Sequence, residues 1–394
     1  MSEVTPGFAE HFSITQGGPL HWLQVRLGEA GYERQRVVRR ALLAVLVTWL
    51  PLLVLSLWQR QAYGSQIKIP FLWDFAVNVR LLIAVPILIL AESGIDKRWR
   101  ILAVHFLKSG LVGDKELPSF GAVIEKTIRL RDRVLPEVLM VVAVFSLAII
   151  FKTELLMSGV SNWHTVGVGS GAVSPAGRWF NLVSTPFFRF LLLRWFWRLF
   201  LWTLFLWRVS RINLFLVATH TDMAGGLGFL SEGQKAFSPI VFAGGAVIAA
   251  QVGNAITYQG ATLSSMKFPM IAYCVLAILI LIAPLLVVAP VLLKIKRKAL
   301  LEYGALVTIH NQLFETTWIR KEDSRDEVIL GNPGPSSLID LGSSFTVIRE
   351  MRFVPINKQT LVALAGAAGL PMGLLVLFVT PIDQLIRVVL KMLG

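Results

Sequence analysis

Long apolar stretches alternate with short basic ones along the whole chain. Seven of them approach the roughly 20 residues that a helix needs to cross about 30 Å of hydrocarbon: 41–58, 69–91, 136–151, 181–207, 237–257, 269–293 and 360–380. The third is short and the fourth is interrupted by charge. This pattern predicts an all-α polytopic transmembrane helix bundle of about seven spans with short cytoplasmic helical segments. One such segment, 91–135, has helical patterns on either side of Gly113–Pro118; the other, 294–359, breaks at the run Gly331-Asn-Pro-Gly-Pro335. After the last span, Asp383, Arg387 and Lys391 recur every fourth residue against Leu385, Ile386, Val389, Leu390 and Leu393, which predicts a C-terminal amphipathic helix lying on the membrane. The expected organisation is an N-terminal cytoplasmic segment 1–40, a six-span bundle 41–293 containing the loop 91–135, a cytoplasmic segment 294–359, and a seventh span with an interfacial tail over 360–394. No period of 20 to 50 residues stands out, and the two halves show no evident similarity. Pro51, Pro86, Pro284, Pro290 and Pro371 fall within the spans and predict kinks.

Composition agrees with the pattern. The chain has 394 residues, 55% hydrophobic and 16% charged, with a mean hydropathy of +0.66, more apolar than a soluble core requires. The lipid bilayer is therefore the expected partner. A net charge of +14 would suit nucleic acid, but the basic residues lie in the short segments between spans, so no nucleic-acid partner is expected. Lys and Arg number 5 in 1–40, 9 in 91–135, 3 in 208–236 and 10 in 294–359, against 2, 2, 1 and 2 in the alternating segments. The positive-inside rule then places the N-terminus in the cytoplasm of a bacterial inner membrane, with anionic lipids as a further expected partner. About forty mostly polar residues precede the first span, so that span is expected to be an uncleaved anchor. Cys274 is the single cysteine, which leaves no disulfide framework and no cysteine metal cluster within one chain. A homo-oligomer is compatible with a bundle of this size.

Ionisable residues inside spans are the best pointers to function, because each costs about 2.5 to 3.5 kcal/mol at mid-membrane on insertion scales. Span two carries Asp74 and Asn78 on one helix face, with Arg80 elsewhere around the axis; span four carries Arg189, Arg194 and Arg198 among tryptophans. Arg194 and Arg198 are four apart and share a face, a like-charge pair that requires a counter-charge or an anion. Counting residues from the outer ends of the two spans puts Asp74 level with Arg194 and Arg80 level with Arg198, so an Asp74–Arg194 ion pair is allowed. Gln251 and Asn254 of span five add polar groups, and the seven residues Asp74, Asn78, Arg80, Arg194, Arg198, Gln251 and Asn254 form a candidate substrate pathway. The alternative is structural: arginines snorkelling to the surfaces and polar residues joining helices. On the cytoplasmic side, His220, Asp222, Gly225, Gly226 and Gly228 form a second candidate site. Its backbone amides would either hold an external anion or be capped by Asp222. No residue is assigned a catalytic role. The zinc motif H-E-x-x-H and the G-x-S-x-G elbow are missing, Ser264–Lys267 lacks the partners of its S-x-x-K pattern, and Gly228–Lys235 is not a phosphate loop. No metal site and no cofactor is expected.

Two stretches, His220–Leu230 and Leu341–Arg352 with Pro355, resemble the signatures of a family of uncharacterised bacterial multi-pass inner-membrane proteins. The resemblance covers the C-terminal half and implies an aspartate near the histidine, a place Asp222 takes; it implies no activity. The leading functional expectation is a transporter or channel for a small anionic or polar solute. A non-catalytic membrane scaffold or sensor and an intramembrane lipid-modifying enzyme are the alternatives.

Overall fold

The computed structural model describes residue 7 and residues 12–26, 34–64, 67–150, 161–165, 172–320 and 333–379. The C-terminal amphipathic helix expected after residue 380 and the break at 331–335 lie partly or wholly outside the described residues. The helices are α1 (Pro19–Arg26), α2 (Arg34–Thr48), α3 (Leu50–Trp58), α4 (Phe75–Val79), α5 (Val85–Lys108), α6 (Leu117–Arg131), α7 (Val134–Ile150), α8 (Pro175–Trp179), α9 (Thr185–Val209), α10 (Leu230–Lys235), α11 (Ser238–Gln259), α12 (Leu263–Leu286), α13 (Ala289–Phe314), α14 (Pro333–Glu350) and α15 (Lys358–Val379). Among the described residues, six helical stretches are long and apolar enough to cross a membrane: Gln35–Trp58, Phe75–Lys108, Pro175–Val209, Leu230–Gln259, Leu263–Leu286 and Lys358–Phe378. Val134–Ser146 adds a shorter apolar helix. The result is the expected all-α bundle of about seven spans, and the fourth span is continuous through its charges.

Pro51, Pro86 and Pro290 stand in the first turns of α3, α5 and α13, and Pro51 and Pro86 lie within the helical stretches Gln35–Trp58 and Phe75–Lys108. Pro284 and Pro371 are inside helices. Ahead of Pro86 the chain widens into a π-helical turn over Arg80–Ala84, in which the Val85 amide reaches the Arg80 carbonyl.

The same construction occurs twice. Asp74 caps α4 by accepting the Val77 amide, five α-helical residues follow, then the π turn, then Pro86. Ser174 caps α8 by accepting the Gly177 amide, five α-helical residues follow, then a π turn over Phe180–Ser184, then Pro186. Each element recurs 100 positions on (174 − 74). Two long helices are thus opened to one plan. The period exceeds the 20 to 50 residues of common repeats and does not coincide with the halves of the chain.

The end of the bundle carrying residues 12–18, 96–108 and 208–236 holds most of the basic residues and is called the basic end here; the other is the far end. At the basic end the core is aromatic. Trp99 stacks on Trp202 (centroids 5.2 Å apart), and Phe205 meets Phe106 and Phe120 edge to face. The N-terminal segment is drawn into this core: Phe12 is fully buried and packs 4.8 Å from Phe205.

Candidate functional site: a buried arginine–glutamate cluster

Glu92 sits on α5 just beyond the apolar stretch that defines its span, and it is 5% exposed. One carboxylate oxygen accepts from Arg198 Nη1 at 2.9 Å and lies 3.5 Å from Arg194 Nη1; the other lies 3.9 Å from Arg40 Nη1. Arg194 and Arg198, one turn apart on α9, are 5% and 2% exposed. Three permanently charged guanidinium groups thus gather on the Glu92 carboxylate, an arrangement costly to bury unless further partners are present, and Arg40 and Arg194 each have interactions besides this one. Arg198 also stacks over Trp195 at 4.7 Å, and the Trp195 indole N–H donates to the Leu88 carbonyl at 3.1 Å. Arg198 Nη2 is buried and has no hydrogen-bond partner among the described residues.

One turn towards the basic end, Asp96 is 1% exposed. Its Oδ1 accepts the Ser13 hydroxyl (2.7 Å) and the amides of Ile14 (3.2 Å) and Thr15 (3.1 Å). Arg100 and Arg131 donate to the carbonyls of Phe12 and Ser13. The N-terminal segment is thereby strapped across the basic end, directly below the cluster.

The structure does not make the Asp74–Arg194 pair. Arg194 meets Glu92, which is 18 residues past Asp74 along one continuous helical run, or about 25 Å at about 1.5 Å per residue. The duplicated caps explain the difference: counted from Ser174, Arg194 matches position 94, beside Glu92, and not position 74. Asp74 belongs to the far end. There it accepts the Asn254 amide (2.8 Å), the Trp163 indole N–H (3.0 Å) and the Val77 amide (3.1 Å). Asn78 is tied nearby, accepting from the Trp49 indole at 2.7 Å and donating to the Phe71 and Asp74 carbonyls. Arg80 lies in the π turn over the Phe188 ring at 5.5 Å, and Gln251 is exposed. The seven pathway residues therefore divide into a polar far-end cap and the Arg194–Arg198 pair. His164, absent from the sequence reading, lies 3.8 Å from Asp74 and packs on Trp163 and Phe180. Burial pushes its pKa down to about 4, outweighing the attraction of Asp74, so the ring is neutral at pH 7.

The glycine segment resolves in favour of capping. The Asp222 carboxylate accepts the amides of Ala224 (2.8 Å), Gly226 (3.1 Å) and Gly228 (2.7 Å), leaving these donors no external anion to hold. Burial alone would raise the Asp222 pKa; the three amides and the nearby His220 outweigh it and hold the carboxyl below its usual range. Gly225 and Gly226 take φ of +65° and +95°, which brings the chain round the carboxylate. Arg352 clamps the turn from the other resembling stretch, donating from Nη2 to the Asp222 carbonyl (2.8 Å) and from its amide to that of Met223 (2.7 Å). Among the described residues, no three His, Cys, Asp or Glu come together as a metal site.

Spans, buried charge and apolar exterior together define a multi-pass α-helical membrane protein. No family model, no curated protein and no solved structure matches the chain.

Proposed function

We propose that this multi-pass membrane protein is a transporter or channel that carries an anionic solute, and that the solute engages the Arg40, Arg194 and Arg198 cluster around Glu92. The observation behind this reading is a buried guanidinium donor, Arg198 Nη2, that has no hydrogen-bond partner among the described residues, beside a carboxylate on which three arginines gather. A bacterial inner-membrane location with the N-terminus in the cytoplasm belongs to the same proposal and rests on the distribution of Lys and Arg. So does membership of the bacterial family that the chain resembles, which draws support from the contact between the two stretches that carry the resemblance.

The test is uptake of labelled chloride, phosphate, acetate and an alkyl sulfonate into proteoliposomes. Wild type should exceed empty vesicles for at least one anion, and Arg194→Ala/Arg198→Ala should return uptake to background. Equal uptake by both proteins, or none by either across the whole panel, would overturn the reading and favour the scaffold or enzyme.

A further inference from the structure

A cavity of about 400 Å³ lies between α9, α11 and α12, within the size range of small-molecule sites. Its walls are apolar: Leu192, Trp195 and Leu199 from α9, Val241 and Val247 from α11, and Ala277 from α12. The Tyr273 hydroxyl at its side is already committed, donating to the Val241 carbonyl at 2.6 Å. The rim residues Phe196 and Leu276 are 53% and 56% exposed on the outward surface of the bundle, so the cavity opens sideways, towards lipid.

The cavity and the charge cluster share one wall. Trp195 lines the cavity with its indole, and the same indole carries the Arg198 guanidinium 4.7 Å from its centroid. The guanidinium behind that wall carries a buried donor, Nη2, with no hydrogen-bond partner among the described residues.

We propose that the anion taken by the cluster is a single-chain amphiphile of the fatty-acid class. Its acyl chain lies in the α9–α11–α12 cavity and its carboxylate meets Arg198 Nη2. The head reaches the guanidinium when Trp195 turns out of its bond to the Leu88 carbonyl. Charge complementarity selects the head, since a carboxylate accepts charge-assisted hydrogen bonds from arginine, and the all-apolar lining selects the tail. This inference rests on the anion-binding reading above and narrows its substrate class.

The experiment uses the full chain in nanodiscs and a palmitate carrying a photoreactive diazirine in its tail, with adducts mapped by peptide mass spectrometry. Adducts should concentrate on peptides spanning 188–199 and 241–248. Unlabelled palmitate should displace the probe about tenfold better than hexadecanol, and acetate should not displace it. Arg198→Gln should abolish the preference for acid over alcohol, Arg198→Lys should retain part of it, and Val247→Trp, which fills the cavity without touching the charges, should reduce labelling about tenfold. Adducts spread evenly over the lipid-facing surface, or competition indifferent to the head group in the wild type, would overturn the inference. If small-anion uptake depends on the arginines while no mapped adducts appear, the acyl-chain inference falls and the transport reading stands. If adducts form and the acid preference survives Arg198→Gln, the cluster loses its role in both.

Discussion

Glu92 meets three guanidinium groups with a single carboxylate, so its removal exposes their mutual repulsion in a setting that water screens poorly. Glu92→Gln should lower stability by about 3 kcal/mol or more, read as a fall in the thermal midpoint in detergent. Glu92→Gln/Arg198→Gln should lose less than the two single changes added together, by about 1 kcal/mol or more; strict additivity would mean that the contact carries no coupling. Asp222→Asn turns an acceptor of three amides into a group that presents donors to some of them, and should loosen the 220–228 turn by about 1–3 kcal/mol, seen as faster amide exchange at Ala224, Gly226 and Gly228. Because the Asp222 carboxyl is held below its usual range, its contribution is complete near neutrality and is lost as pH falls through the folded value. His164 behaves differently. Its pKa is about 4 when folded against about 6.5 when free, so the unfolded form binds the proton first and stability declines as pH falls from about 6.5 towards 4. His164→Phe should flatten that slope in detergent melts. At this scale the sequence was informative about residue types and misleading about partners. Arg194 and Arg198 were legible as a like-charge pair awaiting a counter-charge, but Glu92 follows the last apolar residue of its span and reads as part of a polar loop. His164 gave no signal because no spacing connects it with Asp74.

Helix positions were legible from hydropathy, while their true starts were set by caps. Asp74 and Ser174 fix the frames of the two long helices, and a depth count from the apolar boundary alone misplaces Arg194 against Asp74. The repeated helix start is hard to see in the sequence for a physical reason: what recurs is a cap, a five-residue helix, a π turn and a proline, and only Ala76/Ala176, Leu82/Leu182 and Pro86/Pro186 keep the same identity. Side chains within the frame have diverged, so that position 92 is acidic where position 192 is leucine. Close packing between α11 and α15 makes an element-scale prediction. A Cβ on Gly245 would lie 2.5 Å from the Ala368 carbonyl oxygen, whereas one on Gly369 would meet nothing within 4 Å. Gly245→Ala should therefore destabilise by about 1–3 kcal/mol as the helices are forced apart, and Gly369→Ala should be neutral or stabilising by up to about 1 kcal/mol. Differential scanning fluorimetry of the pair separates steric contact from helix propensity.

Across the whole molecule, the all-α, multi-pass architecture followed from composition and apolar run length, because a bilayer leaves a chain few other ways to satisfy its backbone. The docking of residues 12–18 into the basic end did not, since that segment is polar and short and its partners, Asp96 and Arg131, are about 80 to 120 positions away. Asp96→Asn weakens the anchor of that strap, and amide exchange at Ile14 and Thr15 should quicken by about tenfold or more while exchange within α11 is unchanged. The spacing of the charge cluster along the chain also sets an order in time. Glu92 and Arg198 are 106 residues apart, so at typical rates of synthesis about 5–20 s separate their emergence from the ribosome. During that interval Arg40, on the helix made just before, is the cluster arginine already present to meet the carboxylate. The longest of the three contacts in the finished protein is thus the first one available to the growing chain, an escort for a lone acid until α9 arrives.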